Sequence, residues 1–178
     1  GYDIMLHATD DPSRLSRNLD SEGCVVIDNQ QIREVAKQVR LGLTPILIYD
    51  EFKQDYIDSN HRPSVKESFR RWLDAWVAKD VDTYASVYSS GFSYNGMNLP
   101  AYKKYKKGLT EKYSEIEIKA DNVRYYFHPK YDVVTFTQRY SSRMRGGGAG
   151  FQSTGTKALY FNKDNQIVVE FYSNLRED

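Results

Sequence analysis

The sequence predicts an α+β fold over its larger, C-terminal part, with three amphipathic helices followed by a bent meander of four long antiparallel strands. Two observations predict it. Apolar residues recur at helical spacing from Val65 to Leu109, and from Glu115 onward the period falls to two. Turn residues then separate the alternating runs at Pro129–Lys130, Gly146–Gly148 and Asn162–Asn165. The first fifty residues supply only a strand, a loop, a helix and a second strand, and chains below about 40–60 residues seldom bury a core unaided.

Tyr2 to Thr9 is an apolar run of strand length, and Asp10, Asp11 and Pro12 open a polar loop that lasts to Gly23. Val25–Val26–Ile27 reads as buried. Asp28 is the expected N-cap of a helix from about Asn29 to Arg40, with Ile32, Val35, Ala36 and Val39 on one face and Gly42 as its stop. Pro45 to Tyr49 predicts a short strand, and the polar stretch Glu51–Arg62 a linker or exposed bridging helix. The expected boundaries are therefore 1–50, 51–62 and 63–178.

Pro63 starts the next helix, where Ser64 and Glu67 have the spacing of a capping box and Val65, Phe69, Trp72, Leu73, Trp76 and Val77 share a face. Asp80 or Asp82 caps a second helix carrying Val81, Tyr84, Val87 and Tyr88. Asn98 and Pro100 introduce a third, with Tyr102, Tyr105 and Leu109 inward. Strands are expected at 115–127, 131–144, 150–161 and 166–174, and their short connections make consecutive strands antiparallel neighbours. This order, with a Trp-bearing first helix, resembles the NTF2-like family over residues 63–178. The resemblance implies a cone-shaped fold, a curved four-stranded antiparallel sheet packed on three helices, with a pocket between them and no particular chemistry.

Composition narrows the function classes. Twenty-five Lys and Arg against 24 Asp and Glu leave a net charge of +1, so no whole-molecule field attracts nucleic acid or an anionic membrane. No apolar run approaches the ~18 residues of a membrane-spanning helix. A single cysteine excludes an intramolecular disulfide and a multi-cysteine metal site. The three histidines are scattered, His61 in the linker and His128 beside a turn, so no metal or other cofactor is expected.

The chemistry-bearing residues of the first segment are His7 and Cys24. A thiol attacks as thiolate, which a nearby imidazole stabilises, and Gly23 leaves room for a substrate backbone beside the sulfur. His7, Ser21, Gly23 and Cys24 resemble the motif of the L,D-transpeptidase (YkuD) family, a His followed after a spacer by Ser-His-Gly-Cys. The resemblance continues through Asp28 to Ile32 and Gly42 to Ile48 and covers about residues 2–50. It implies an acyl-enzyme on Cys24, formed at the L-centre of diaminopimelate in a peptidoglycan stem peptide. His7 is then the base, Ala8 supplies an orienting carbonyl, and the turn at Ser21, Glu22 and Gly23 carries the oxyanion donors. Glu22 replaces the motif's second histidine, Val26 its usual Arg or Asn, and Ala8 a glycine. These departures point from transfer to hydrolysis.

The pairing of the two segments is similar to the L,D-carboxypeptidases that set cell shape in helical and curved bacteria, in which water resolves the acyl-enzyme and D-Ala leaves a tetrapeptide. The partners so implied are peptidoglycan muropeptides in the periplasm or cell envelope, with a β-rich region and a signal peptide expected upstream. The other reading is a non-catalytic NTF2-like module that binds a glycan or peptide. Trp72, Trp76, Tyr88 and Tyr94 are candidates for a sugar-stacking pocket, although most such rings simply form core. Arg139, Lys157 and Glu170 join them as charges within strand patterns, which need a partner or a ligand. The run Lys103, Lys104, Lys106 and Lys107 reads as a solvated helix face. A homodimer would also cover the aromatic excess of 15 Tyr and 8 Phe.

Overall fold

A computed structural model describes residues 5–17, 21, 23–39, 44, 46–56 and 63–174. The chain divides into two units, Gly1–Ile46 and Leu47–Asp178. In the first, strand β1 (Leu6–His7) pairs in parallel with β2 (Val25–Val26), placing Leu6 opposite Val25 and His7 opposite Val26. The Val25 and Ile27 amides donate to the carbonyls of Met5 and His7 at 2.9 and 3.0 Å. A 3-10 turn, Pro12–Ser16, interrupts the predicted loop because Asp11 accepts from the Ser13 amide and Pro12 tolerates the first helical position. Asp28 caps helix α1 (Asn29–Gln38), accepting from the amides of Gln30 and Gln31 at 2.7 and 3.2 Å. Val39, in extended conformation, ends it, and the expected stop Gly42 lies outside the described residues. The strand predicted at Pro45–Tyr49 does not form among the described residues of that stretch, because Ile46 and Ile48 find no ladder partner and stand exposed.

Helix α2 (Pro63–Val77) opens the helical layer of the second unit. Ser64 lies inside this helix rather than capping it, and its hydroxyl donates to the Asn165 side chain. Val65, Phe69, Trp72, Ala75 and Trp76 are buried, whereas Val77, about 100° round from Trp76, faces solvent. Asp80 caps α3 (Val81–Ser86) through the Thr83 amide. This helix is shorter than its apolar pattern implies. Beyond Ser86 the backbone turns to pair with Ile167, whose amide donates to Val87 O and whose carbonyl accepts from the Ser89 amide, so Tyr88 sits in a parallel bridge.

A tight hairpin, β3 (Ser93–Tyr94) and β4 (Met97–Asn98), was not legible as strands, and it turns on Asn95 and Gly96, both at positive φ. Asn98 then caps α4 (Leu99–Lys112). The inward face of α4 carries Tyr102 and Lys106, while Tyr105, expected inward, is about half exposed.

Strands β5 (Tyr113–Phe127), β6 (Asp132–Met144), β7 (Phe151–Phe161) and β8 (Ile167–Asn174) form one antiparallel sheet in sequence order, as the period-two pattern predicts. A register shift between Asp121 and Arg124 bends β5. The register aligns Ile118 with Tyr140, Gln138 with Gly155, Phe136 with Lys157 and Lys157 with Tyr172, so these side chains share the face turned to the helices. Trp72, Tyr84, Phe92, Tyr102, Phe127, Phe136 and Phe161 fill the core between sheet and helices. The segment expected as a polar linker brings rings to this unit. Tyr49 donates to the Phe127 carbonyl and stacks on Tyr56 with 4.9 Å between centroids, and Phe52 meets Tyr49 edge-on.

Candidate functional site

In the first unit the residues flagged by sequence cluster around the β1–β2 ladder. His7 Nδ1 lies 2.7 Å from the Ala8 carbonyl, and since a carbonyl only accepts, Nδ1 carries a proton and the bond orients the ring. Cys24 precedes Val25 and is half-buried. His7 and Val26 are register partners across the ladder, and Cys24 is the residue that leads into β2. The Ser21 hydroxyl donates to the Cys24 carbonyl and closes the turn. Gly23 has φ +115°, a conformation L side chains rarely adopt. Glu22 lies outside the described residues. The arrangement sets a cysteine at the entrance to one strand and an oriented imidazole on the strand paired with it.

The second unit holds a cavity of about 550 Å³ between α2, α4 and the concave face of the sheet. At its floor Lys157 and Glu170, both almost completely buried, form an ion pair at 2.5 Å. Glu170 Oε1 also accepts from the Tyr102 hydroxyl at 2.9 Å, and Oε2 from the Tyr88 hydroxyl at 2.6 Å. Tyr88 in turn accepts from Trp72 Nε1 at 2.8 Å and lies 2.7 Å from the Tyr84 hydroxyl, which, because a phenol has one proton, is the donor there. Burial alone would raise the Glu170 carboxyl, but Lys157, Lys106 and the hydrogen bonds from Lys157 and Tyr88 hold it down at about 2. Burial, and next to it the Glu170 charge, push Tyr84 and Tyr88 well above the usual phenol range. Burial raises Tyr102 likewise, with Tyr84 and Glu170 adding to it. All three act as neutral donors.

Lys106 differs from Lys157. Its ammonium lies 4.5 Å from the Trp76 ring, 5.0 Å from Tyr102 and 5.3 Å from Tyr84, with no ion-pair partner among the described residues. Burial pushes it down to about 7, with Glu170 opposing the shift and Lys157 adding to it. Tyr172 also lines the cavity, and its buried hydroxyl has no hydrogen-bond partner among the described residues. Gly155 makes room for that ring, since a Cβ there would sit 2.6–2.7 Å from the end of the Tyr172 side chain.

Of the pocket candidates, Trp76, Tyr94, Lys157 and Glu170 line the cavity. Trp72 and Tyr88 stand behind its wall, buried and bonded to each other. Arg139 is not in the pocket. It sits on the opposite face of the sheet, where it pairs with Asp121 at 2.8 Å. Sequence reasoning missed Lys106, which it placed in a solvated basic run, yet Lys106 is one helical turn after Tyr102 and shares its buried face. Lys103, from the same run, does reach solvent and pairs with Asp82. Among the described residues no group of three His, Cys, Asp or Glu is placed to hold a metal, and no helix is long and apolar enough to cross a membrane.

Comparison with known proteins finds a family match for each of the two segments. The L,D-transpeptidase catalytic domain (YkuD) profile matches residues 1–48. No curated protein matches the chain. Among solved structures, that of Bd1075 from Bdellovibrio bacteriovorus superposes on 98% of this chain with a TM-score of 0.72 and 29% identity, and the chain spans 62% of that protein's length. An NTF2-like superfamily protein from Salmonella enterica gives a TM-score of 0.56 at 15% identity over 67% of this chain and 94% of its own. A putative scytalone dehydratase from Novosphingobium aromaticivorans gives 0.57 at 11% identity over 66% of this chain and 85% of its own. These two show the NTF2-like fold alone. The Cds6 C-terminal NTF2-like domain profile matches residues 64–171, more than half of the sequence, and the chain therefore belongs to that family.

Proposed function

We propose that the chain is part of a cysteine peptidase of the cell envelope that trims peptidoglycan stem peptides as an L,D-carboxypeptidase. The Cys24 thiolate attacks the carbonyl at the L-centre of diaminopimelate and forms a thioester, and the D-Ala amine leaves with the proton that His7 had taken from the thiol. Water, deprotonated by His7, then cleaves the thioester and restores the thiol. Amides of the Gly23–Cys24 turn stabilise the oxyanion. The NTF2-like domain holds the substrate. The observation that carries this reading is the oriented imidazole, with His7 Nδ1 bonded to the Ala8 carbonyl on the strand paired with the one that follows Cys24. The YkuD match over residues 1–48 supports it.

The test is incubation of the full-length protein with a disaccharide tetrapeptide, followed by quantitation of free D-Ala and intact-mass detection of a thioester. D-Ala release that disappears in Cys24→Ala, with an adduct that maps to Cys24, is the expected result. No D-Ala and no adduct in the wild type, or release that persists in Cys24→Ala, overturns the reading and leaves a binding module.

A further inference from the structure

We infer that the cavity of the second unit binds a ligand bearing one carboxylate on a flat, ring-like frame, with the Lys106 ammonium as the group that reads the charge. The inference rests on the peptidoglycan reading for its choice of ligand source, and the geometry stands apart from it. The cavity presents the ammonium groups of Lys106, Lys112 and Lys157 against the single carboxylate of Glu170. The oxygens of that carboxylate accept from other groups, Oε1 from Lys157 and Tyr102 and Oε2 from Tyr88, and among the described residues neither accepts from Lys106. Lys106 therefore has three N–H donors and only ring faces to meet them.

An ammonium that is nine-tenths buried without an acceptor is unfavourable, and attraction to ring faces offsets it only in part. The Tyr172 hydroxyl, on the sheet side of the same cavity, is a second donor without a partner among the described residues. Two unmet donors bordering one unfilled space call for an acceptor with two oxygens, which a carboxylate supplies. A doubly charged phosphate suits the site less well, because Glu170 stays ionised beside it.

The remaining walls select the frame. Trp76, Tyr94, Tyr105 and Tyr140 present apolar ring surface, which stacks on the flat faces of a pyranose, and the volume of about 550 Å³ holds a monosaccharide or a short peptide. Two sources in the cell wall carry such a carboxylate, the lactyl group of a muramic sugar from which the stem peptide has been removed and the terminus of a free stem peptide. The ring-lined walls favour the sugar.

The experiment measures binding by calorimetry and by Trp fluorescence, with the full chain carrying Cys24→Ala so that no turnover intervenes. The probes are N-acetylmuramic acid, N-acetylglucosamine, which has the same ring without the carboxylate, and the free stem tetrapeptide. The expected result is at least tenfold tighter binding of N-acetylmuramic acid than of N-acetylglucosamine. Lys106→Met abolishes that preference while leaving the circular dichroism unchanged, and Tyr172→Phe weakens it by a smaller factor. Lys106-dependent binding of the tetrapeptide alone keeps the carboxylate site and reassigns its source. Equal binding of the acidic and neutral sugars, anion binding indifferent to Lys106→Met, or no binding of either anion overturns the inference. Thioester formation on Cys24 is read separately, so failure here leaves the peptidase reading standing and failure there leaves this one.

Discussion

Lys106→Met is expected to make the second unit more stable. In the unfolded chain this ammonium keeps its proton up to about 10.5, and in the fold burial brings that point down to about 7. The difference corresponds to about 5 kcal/mol of cost carried by the charged form at pH 6. Attraction to the Trp76, Tyr84 and Tyr102 rings returns roughly 1–3 kcal/mol of it. Methionine fills the same space without the charge, so the net gain is about 2–4 kcal/mol, a shift of about 1–2 M in the urea midpoint. The pH dependence carries a second signature. Between pH 7 and 10.5 the unfolded chain binds a proton that the folded one lacks, so the wild type gains stability with rising pH, about 3 kcal/mol of it between pH 6 and 9.

Methionine removes this gain. The other groups facing Lys106 do not obscure it, because Glu170 on β8 titrates near 2, Tyr84 on α3 and Tyr102 on its own helix lie above 10, and Lys157 is held in its pair. The assay is urea unfolding at pH 6 and pH 9, followed by the fluorescence of Trp72 and Trp76, the chain's two tryptophans. A lower midpoint for Lys106→Met at pH 6, or an identical rise with pH in both proteins, would refute the argument.

Three further outcomes follow from the same geometry. Glu170→Gln leaves Lys157 buried without its counter-charge and is expected to cost about 3–5 kcal/mol, read as a fall in the urea midpoint at pH 7. Binding of N-acetylmuramic acid is expected to weaken as pH rises through about 7, because Lys106 loses the charge that the carboxylate needs; calorimetry at pH 6 and 8.5 checks it. Gly155→Ala is expected to lower stability by about 2 kcal/mol or more and to weaken sugar binding, since the new Cβ meets the Ser173 carbonyl and displaces the Tyr172 ring, and thermal melts with a titration read both effects.

The helices and the four long strands were legible because each carries an uninterrupted period and a recognisable end. Asp28 and Asn98 cap the helices they were expected to cap, and of the two candidates Asp80 and Asp82 it is Asp80 that caps α3. The sequence misled where a partner remote in the chain decides the outcome. Tyr88 continues the apolar face of α3, yet Ile167, some eighty residues on, captures the backbone on either side of it and ends the helix. Ile46 and Ile48 have strand character and, among the described residues, no strand to join. Arg139 and Lys157 are both cations in period-two strands. Which face of the sheet each takes depends on register across the β6–β7 ladder, and only Lys157 falls on the concave side.

Lys106 marks a different limit. Charge runs are read as solvated because most are, and within Lys103–Lys107 only the spacing from Tyr102 separates the buried cation from its exposed neighbours. The two buried lysines of the cavity then divide by their partners. Lys157 and Glu170 neutralise each other, and with Tyr88, Tyr102 and Trp72 they form a network in which Glu170 accepts from Lys157, Tyr102 and Tyr88, and Tyr88 from Trp72. Such a network fixes the cavity floor and needs no ligand to explain it. Lys106 lines the same cavity against rings that attract a cation but accept no ordinary hydrogen bond. A fold that keeps a charge there loses stability relative to methionine at the same position. The loss is offset only when an anion enters the cavity, which is why the stability of Lys106→Met and its carboxylate binding are expected to move in opposite directions.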